Sequence, residues 1–334
     1  MTGQTLEGRS DLPLVDVRNL SVLFDAGRAG FWGRKRLTVH AVENVSLDIR
    51  PGETLGLVGE SGSGKSTTGR AILGRVPVSQ GHIYFQGKEI THAGKNRVRE
   101  LSRDMQLVFQ DPYASLNPRM KIIDIVAEPL RVHGMVKNTK AAAKEVARLL
   151  ELVGLPPDAG ARYPHAFSGG QRQRVGIARA LALKPRFIVA DEPVSALDVS
   201  IRAQVVNLMQ DLQARFGLSY LFIAHDLAVV RHISHRIAIM YAGNIVELAE
   251  RHLIYDSPVH PYTRALLSAV PVPDPPVQRA RQRITCPGEP PNPLNPPSGC
   301  RFQSRCPYVT GTCREKAPEL ARRRPGQMAA CWNC

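Results

Sequence analysis

Residues 59–67 read Gly-Glu-Ser-Gly-Ser-Gly-Lys-Ser-Thr, directly after a short apolar run at 55–58 and at the mouth of a stretch with helical spacing at 65–73. A chain holding that segment is predicted to set a buried strand, a glycine-rich turn and a helix N-terminus in succession. Glycines there let backbone N–H groups close round a β-phosphate, and the helix N-terminus adds positive potential. Lys65 is then expected to reach the β- and γ-phosphates, and Ser66 to ligate magnesium. The pattern predicts a nucleoside triphosphate site built from Gly59, Ser61, Gly62, Ser63, Gly64, Lys65, Ser66 and Thr67.

Around that segment the hydrophobic periodicity changes several times. Alternation at 14–24 and 39–49 predicts two strands, paired antiparallel, with a glycine- and arginine-rich loop or insertion between them. Further strands are expected at 82–85 and 105–109, and helices at 122–133, 141–153 and 171–183. A strand at 187–190, a helix at 201–216 and a strand at 220–224 restore an alternating order. The prediction is an α/β fold: an antiparallel β subdomain, a parallel core, and an inserted helical subdomain at about 112–183. From 271 onward prolines crowd the chain, so an extended, turn-rich path without helix is expected, ordered by something other than a large apolar core. The expected division is a flexible N-terminus at 1–11, a main domain at 12–270 and a small proline- and cysteine-rich C-terminal domain at 271–334.

A chain of 334 residues with 43% hydrophobic content has enough apolar surface for one well-buried domain and an appendage. No apolar run approaches the roughly 20 residues of a membrane helix, and the first residues lack the apolar core of a secretory signal. Any membrane contact is therefore expected to be peripheral. The net charge of +15 favours acidic partners, with basic residues concentrated at 28–36 and 322–324. A solvated basic surface near anionic lipid is the expected reading, and nucleic acid is not an expected partner.

Two further patterns add chemistry. The apolar run 187–190 ends in Asp191 and Glu192, which predicts Asp191 beside the metal, holding it through water, and Glu192 polarising the attacking water. Phe167-Ser168-Gly169-Gly170-Gln171 opens a helix, and Ser168 with two glycines predicts a second anion-binding surface; Gly170, a weak helix former, is poorly explained by capping alone. Phe24, ending the first strand, is the candidate to stack on a base, with a core aromatic as the alternative.

Together these motifs resemble the ATP-binding-cassette (ABC) ATPases, whose remaining motifs follow in order. Gln110 ends the strand before Asp111-Pro112, Ser195-Ala196-Leu197-Asp198 follows the acidic pair, and His225 ends the strand Leu221-Phe222-Ile223-Ala224. The resemblance implies an ABC-type P-loop fold with a RecA-like parallel core, binding ATP and Mg2+. By that resemblance Gln110 senses magnesium and the membrane subunits, Ser195 and Asp198 join two protomers, and His225 contacts the γ-phosphate. Ser168, Gly169, Gly170 and Gln171 would face the partner's ATP, so two ATPase chains must sandwich two nucleotides, and closure transmits the power stroke.

Several segments narrow the resemblance to dipeptide/oligopeptide importers. They are Phe109-Gln110-Asp111-Pro112-Tyr113-Ala114-Ser115-Leu116-Asn117-Pro118-Arg119, His260-Pro261-Tyr262-Thr263 and Asn295-Pro296-Pro297-Ser298-Gly299-Cys300. Ser66-Thr67-Thr68-Gly69-Arg70 looks like the second ATPase subunit of a paired set. The implied partners are a paralogous ATPase or a second copy, two membrane permease subunits that residues 111–119 would face, and indirectly an extracytoplasmic solute-binding protein. The implied place is the cytoplasmic face of the cell membrane, and relatives that carry nickel or other small solutes remain the alternative. An ABC ATPase acting on nucleic acid or ribosomes is disfavoured, because no sustained heptads separate the two glycine motifs and the chain carries a single cassette.

All six cysteines fall between Cys286 and Cys334. Cys300, Cys306, Cys313 and Cys331 are enough thiolates for a zinc ion or an iron–sulfur cluster, and spacing leaves both open. The resemblance implies a [4Fe–4S] cluster on those four, with Cys334 as an alternative to Cys331.

Overall fold

Apolar residues on one face of the first strand pair bury against the rest of the chain, which sets how the two sheets meet. The computed structural model describes residues 12–29, 35–111, 113, 115–271, 274–280 and 282–334, so the expected flexible segment 1–11 lies outside the described residues. Strand β1 (Val15–Ala29) pairs antiparallel with β2 (Lys35–Ile49). Strand β3 (Thr54–Val58) leaves for the core, while β4 (Gln80–Phe85) and β5 (Lys88–Glu89) return to complete a four-stranded antiparallel sheet in the order β2-β1-β4-β5. Val15, Val17, Leu20, Val22, Val45 and Ile49 of this sheet share one buried cluster with Leu55, Leu57 and Ile72.

The second sheet has eight strands. Besides β3 it contains β6 (Met105–Val108), β7 (Phe187–Asp191), β8 (Ser219–Ala224), β9 (Arg236–Tyr241), β10 (Asn244–Glu250), β11 (Ala321–Arg324) and β12 (Gln327–Ala329), in the order β11-β12-β10-β9-β3-β8-β7-β6. The five strands from β9 to β6 are parallel. Every residue of β3, β7 and β8 is buried, as sheets covered on both faces require. Arg236 ties the sheets together, its guanidinium 2.9 Å from Asp48 of β2 and 3.3 Å from Glu53 beside β3.

Helices α1 (Lys65–Ile72) and α2 (Lys95–Leu101) precede β6. Between β6 and β7 come α3 (Ile122–Val132), α4 (Thr139–Leu152) and α5 (Gly169–Leu181), which bury Ile125, Val126, Leu130, Val146, Leu149, Leu150 and Val175 among themselves. Helices α6 (Val199–Phe216), α7 (Leu227–Ile233), α8 (Arg251–Asp256) and α9 (Pro261–Ser268) follow the later strands. No helix among the described residues is long and apolar enough to cross a membrane.

Beyond 271 the chain departs from the expected helix-free path, for α10 (Pro275–Ala280) and α11 (Gly311–Glu315) are both helical. Pro275 and Pro276 stand in the first turn of α10, where a helix leaves backbone N–H groups unbonded and proline costs nothing. The tail then returns to the main sheet: β12 pairs antiparallel with β10, and β11 with β12. Phe302 is fully buried against Tyr241 and Tyr262, so part of the tail's order comes from the core it packs on. The basic run at 322–324 lies on β11, the sheet's outer strand, where charge discourages edge-to-edge pairing.

Candidate active site

Four neighbouring parallel strands, β3, β8, β7 and β6, end on one side of the sheet, and each hands a motif to the same crevice. The loop after β3 turns into α1 through Gly64, whose φ of 100° suits glycine alone among ordinary residues. Lys65 curls back beneath the loop, its Nζ donating to the Gly59 and Glu60 carbonyls at 2.8 Å each and to Ser63 Oγ at 3.5 Å. Burial lowers its pKa, against the opposing pull of the Glu192, Asp191 and Glu60 carboxylates.

Ser66 Oγ donates to Asp191 Oδ1 at 2.6 Å, bringing together two of the expected magnesium ligands. These are hard oxygen donors, one of them anionic, as magnesium prefers. Glu192 follows with φ 46°, a left-handed backbone in a non-glycine residue. Its Oε2 accepts from Gln110 Nε2 at 3.2 Å, and His225 Nδ1 lies 3.2 Å from the same oxygen. Ser195 Oγ donates to the Glu192 carbonyl at 3.0 Å and so steadies the turn behind it. Ser61, Gly62, Ser63, Gly64, Lys65, Ser66 and Thr67 line one cavity of about 1040 Å³ together with Gln110, Glu192 and His225.

The remaining candidates stand elsewhere. Phe24 is 38% exposed on β1, opposite Val39 in register, and Val39 rather than Phe24 lines the cavity. Ser168 caps α5 in a capping box, accepting from the Gln171 N–H at 3.4 Å while Gln171 Oε1 accepts from the Ser168 N–H at 3.0 Å. Gly170 has a packing reason that its low helix propensity did not suggest: a Cβ there would stand 2.2 Å from Ile201 Cγ2. Asp198 precedes α6 and is exposed, beside Val199 at 80% exposure. None of residues 168–171 or 198 lines the cavity around Lys65. Sequence reasoning missed His40, Arg301 and residues 289–293, which do line it. Their distance from the phosphate loop along the chain left no local signal.

Cys300, Cys306, Cys313, Cys331 and Cys334 line a second cavity, of about 180 Å³. Burial raises the Cys300 thiol to about 11 and also raises Cys306. The neighbouring Cys331 and Cys334 thiols act on each other, lowering Cys331 and raising Cys334. Thr310 Oγ1 lies 3.2 Å from Cys313 Sγ. Among the described residues no group of three His, Cys, Asp or Glu is drawn together to hold a metal ion. Tetrahedral thiolates on one zinc sit about 3.8 Å apart, given a Zn–S bond of about 2.3 Å. The thiols lining this cavity are the donor type that either a zinc ion or an iron–sulfur cluster takes.

The ABC transporter family model matches residues 42–195, and the model for the oligopeptide/dipeptide transporter C-terminal region matches 246–313. The chain is 52% identical to the putative oligopeptide transport ATP-binding protein YkfD of Bacillus subtilis (strain 168), over 96% of this chain and 95% of that one. It is 51% identical to the oligopeptide transport ATP-binding protein OppF of Escherichia coli (strain K12), over 94% of each. Among solved structures, the post-hydrolysis dimer of the ATP-binding cassette MJ0796, bound to ADP and Pi, superposes with a TM-score of 0.63 at 28% identity. That match covers 71% of this chain and 98% of the other.

Proposed function

The chain belongs to the oligopeptide-transport branch of the ABC transporter ATPases and is the ATP-hydrolysing subunit of a peptide importer; on that premise we propose how its residues divide the work. Residues 59–67 receive the triphosphate, Lys65 exchanging its loop carbonyls for β- and γ-phosphate oxygens. Ser66, Gln110 and Asp191 would hold magnesium, which supplies charge neutralisation at the phosphates when bound. Glu192 is the general base. Gln110 and His225 both occupy its Oε2, leaving Oε1 to take a proton from the attacking water. The water oxygen bonds to the γ-phosphorus, and the β–γ bridging oxygen leaves with its electron pair on ADP. His225 steadies the γ-phosphate as its negative charge shifts.

Ser168, Gly169, Gly170 and Gln171 stand away from their own chain's cavity, which supports their serving a partner's ATP, with Ser195 and Asp198 at the seam. The partner is a paralogous ATPase or a second copy, and the dimeric state of the MJ0796 cassette supports such pairing. Residues 111–119 face the permease subunits at the cytoplasmic side of the membrane, where Tyr113 is 61% exposed beneath the Arg172 guanidinium. Cys300, Cys306, Cys313 and Cys331, which line one cavity, would hold a [4Fe–4S] cluster, and such a cluster would order the tail at 271–334 against the ATPase domain at 12–270.

The observation that carries the hydrolytic assignment is the convergence of Gln110 and His225 on Glu192 beside the Ser66–Asp191 pair. Glu192→Gln is expected to keep ATP binding and to cut turnover by roughly 10² to 10⁴. Turnover equal to the parent's would remove Glu192 from the role.

A further inference from the structure

Residues 300–306 read Cys-Arg-Phe-Gln-Ser-Arg-Cys, and this short segment is a wall shared by two sites. Cys300, Phe302 and Cys306 line the cysteine cavity. The arginines between them reach the nucleotide side. Arg301 donates to the Ala242 carbonyl at 3.1 Å and pairs with Glu43, on the carboxylate oxygen that lies 3.0 Å from His40 Nδ1. Arg305, only 14% exposed, donates from Nη1 to both carboxylate oxygens of Glu60, at 3.1 and 3.0 Å.

Glu60 is the second residue of the phosphate loop, and each of its polar groups is held. Its N–H donates to Tyr262 Oη at 3.1 Å, its carbonyl accepts from Lys65, and its carboxylate belongs to Arg305. Upstream, the His40 N–H donates to the Pro293 carbonyl at 2.9 Å, which pins residues 289–293 against the cavity. Glu192 and His225 mark where the γ-phosphate is cleaved. The same cavity is also lined by His40 and residues 289–293, and these supply a wall for the nucleoside.

We propose that the tail is a working part of the nucleotide site: residues 289–293 close its nucleoside end, and Arg305 is a positioning residue that acts through Glu60 to hold the phosphate loop in its binding shape. This rests on residues 59–67 being the triphosphate cradle. Losing the Arg305 contact loosens the loop for any phosphate ligand, whereas loosening the 289–293 wall affects only ligands that carry a nucleoside.

The test uses the full chain and two probes, the non-hydrolysable ATP analogue adenylyl imidodiphosphate and inorganic tripolyphosphate, by equilibrium binding. Arg305→Gln is expected to weaken both probes about tenfold, the scale of one charge-assisted contact, and Arg305→Lys to recover part of that loss. The double variant Pro291→Gly, Pro293→Gly is expected to weaken the analogue about tenfold and to leave tripolyphosphate within about twofold. In ATPase assays Arg305→Gln should raise KM and keep kcat within about twofold, a split that general destabilisation would not produce. Thermal melts check folding, and if Arg305→Gln fails to fold, the proline variant and Arg305→Lys carry the test. Parent-like affinity for the analogue in the folded variants overturns the inference and leaves the cradle in place. A parent chain that binds neither probe overturns the cradle assignment, and the inference with it.

Discussion

At Glu192 the backbone turns left-handed immediately after a fully buried strand. Such a conformation costs a non-glycine residue of the order of 1–3 kcal/mol, and it sets the carboxylate against Gln110 and His225. Gly170 presents the opposite case, a residue whose identity is dictated by what it touches. The Gly170→Ala methyl would run into Ile201, so the substitution should lower stability by about 1–3 kcal/mol in denaturant titrations. Adding Ile201→Ala should recover much of that loss through negative coupling between the two sites. ATPase activity that stays low after stability returns would place Gly170 at the partner's nucleotide; full recovery would leave it a packing residue. The phosphate loop and the acids could be placed at strand ends from the sequence because each follows a sharp apolar boundary, whereas His225 was singled out only by the family resemblance. Phe24 does not end its strand as expected, because β1 continues to Ala29, and its cross-strand neighbour Val39 lines the cavity instead.

Strands with unbroken apolar runs, β3, β7 and β8, could be read directly, as could α3, α4 and α6 from their spacing. The hairpin of β11 and β12 could not, because Ala-Arg-Arg-Arg and Gln-Met-Ala carry no strand pattern until β10 offers them an edge. Helix α10 was hidden by reading its prolines as breakers when their place in the first turn makes them neutral. Between elements, the Arg236 contact to Asp48 and Glu53 couples the two sheets. Arg236→Met strands the buried Glu53 carboxylate and should cost about 2–3 kcal/mol at neutral pH, measured by chemical unfolding. Burial pushes the Asp48 carboxyl up, but the Arg236 hydrogen bond and charge, with Arg50, bring it below its ordinary 3.8. With the folded value depressed, this contribution is complete above 3.8 and disappears as pH falls through the lower folded value. Arg236→Met should therefore show a shallower loss of stability below that pH than the parent; an unchanged acid limb would count against the pair.

On the scale of the whole molecule, the cysteines and the phosphate loop lie far apart in sequence and share a wall in space, an adjacency that no local pattern encodes. Anaerobically purified protein is expected to carry about four irons and matching sulfide per chain, and Cys306→Ser to lose them together with the tail's resistance to proteolysis. Stoichiometric zinc would reassign the centre, and a metal-free chain would overturn the cluster. The closing of the sheet by β12 also has a consequence in time. During synthesis β10 is complete long before residues 327–329 exist, so its outer edge leaves the ribosome with unpaired backbone groups open to any passing strand. The nucleotide-binding half is therefore at its most vulnerable to aggregation while the tail is still being translated, and truncation before β12 would make that exposure permanent.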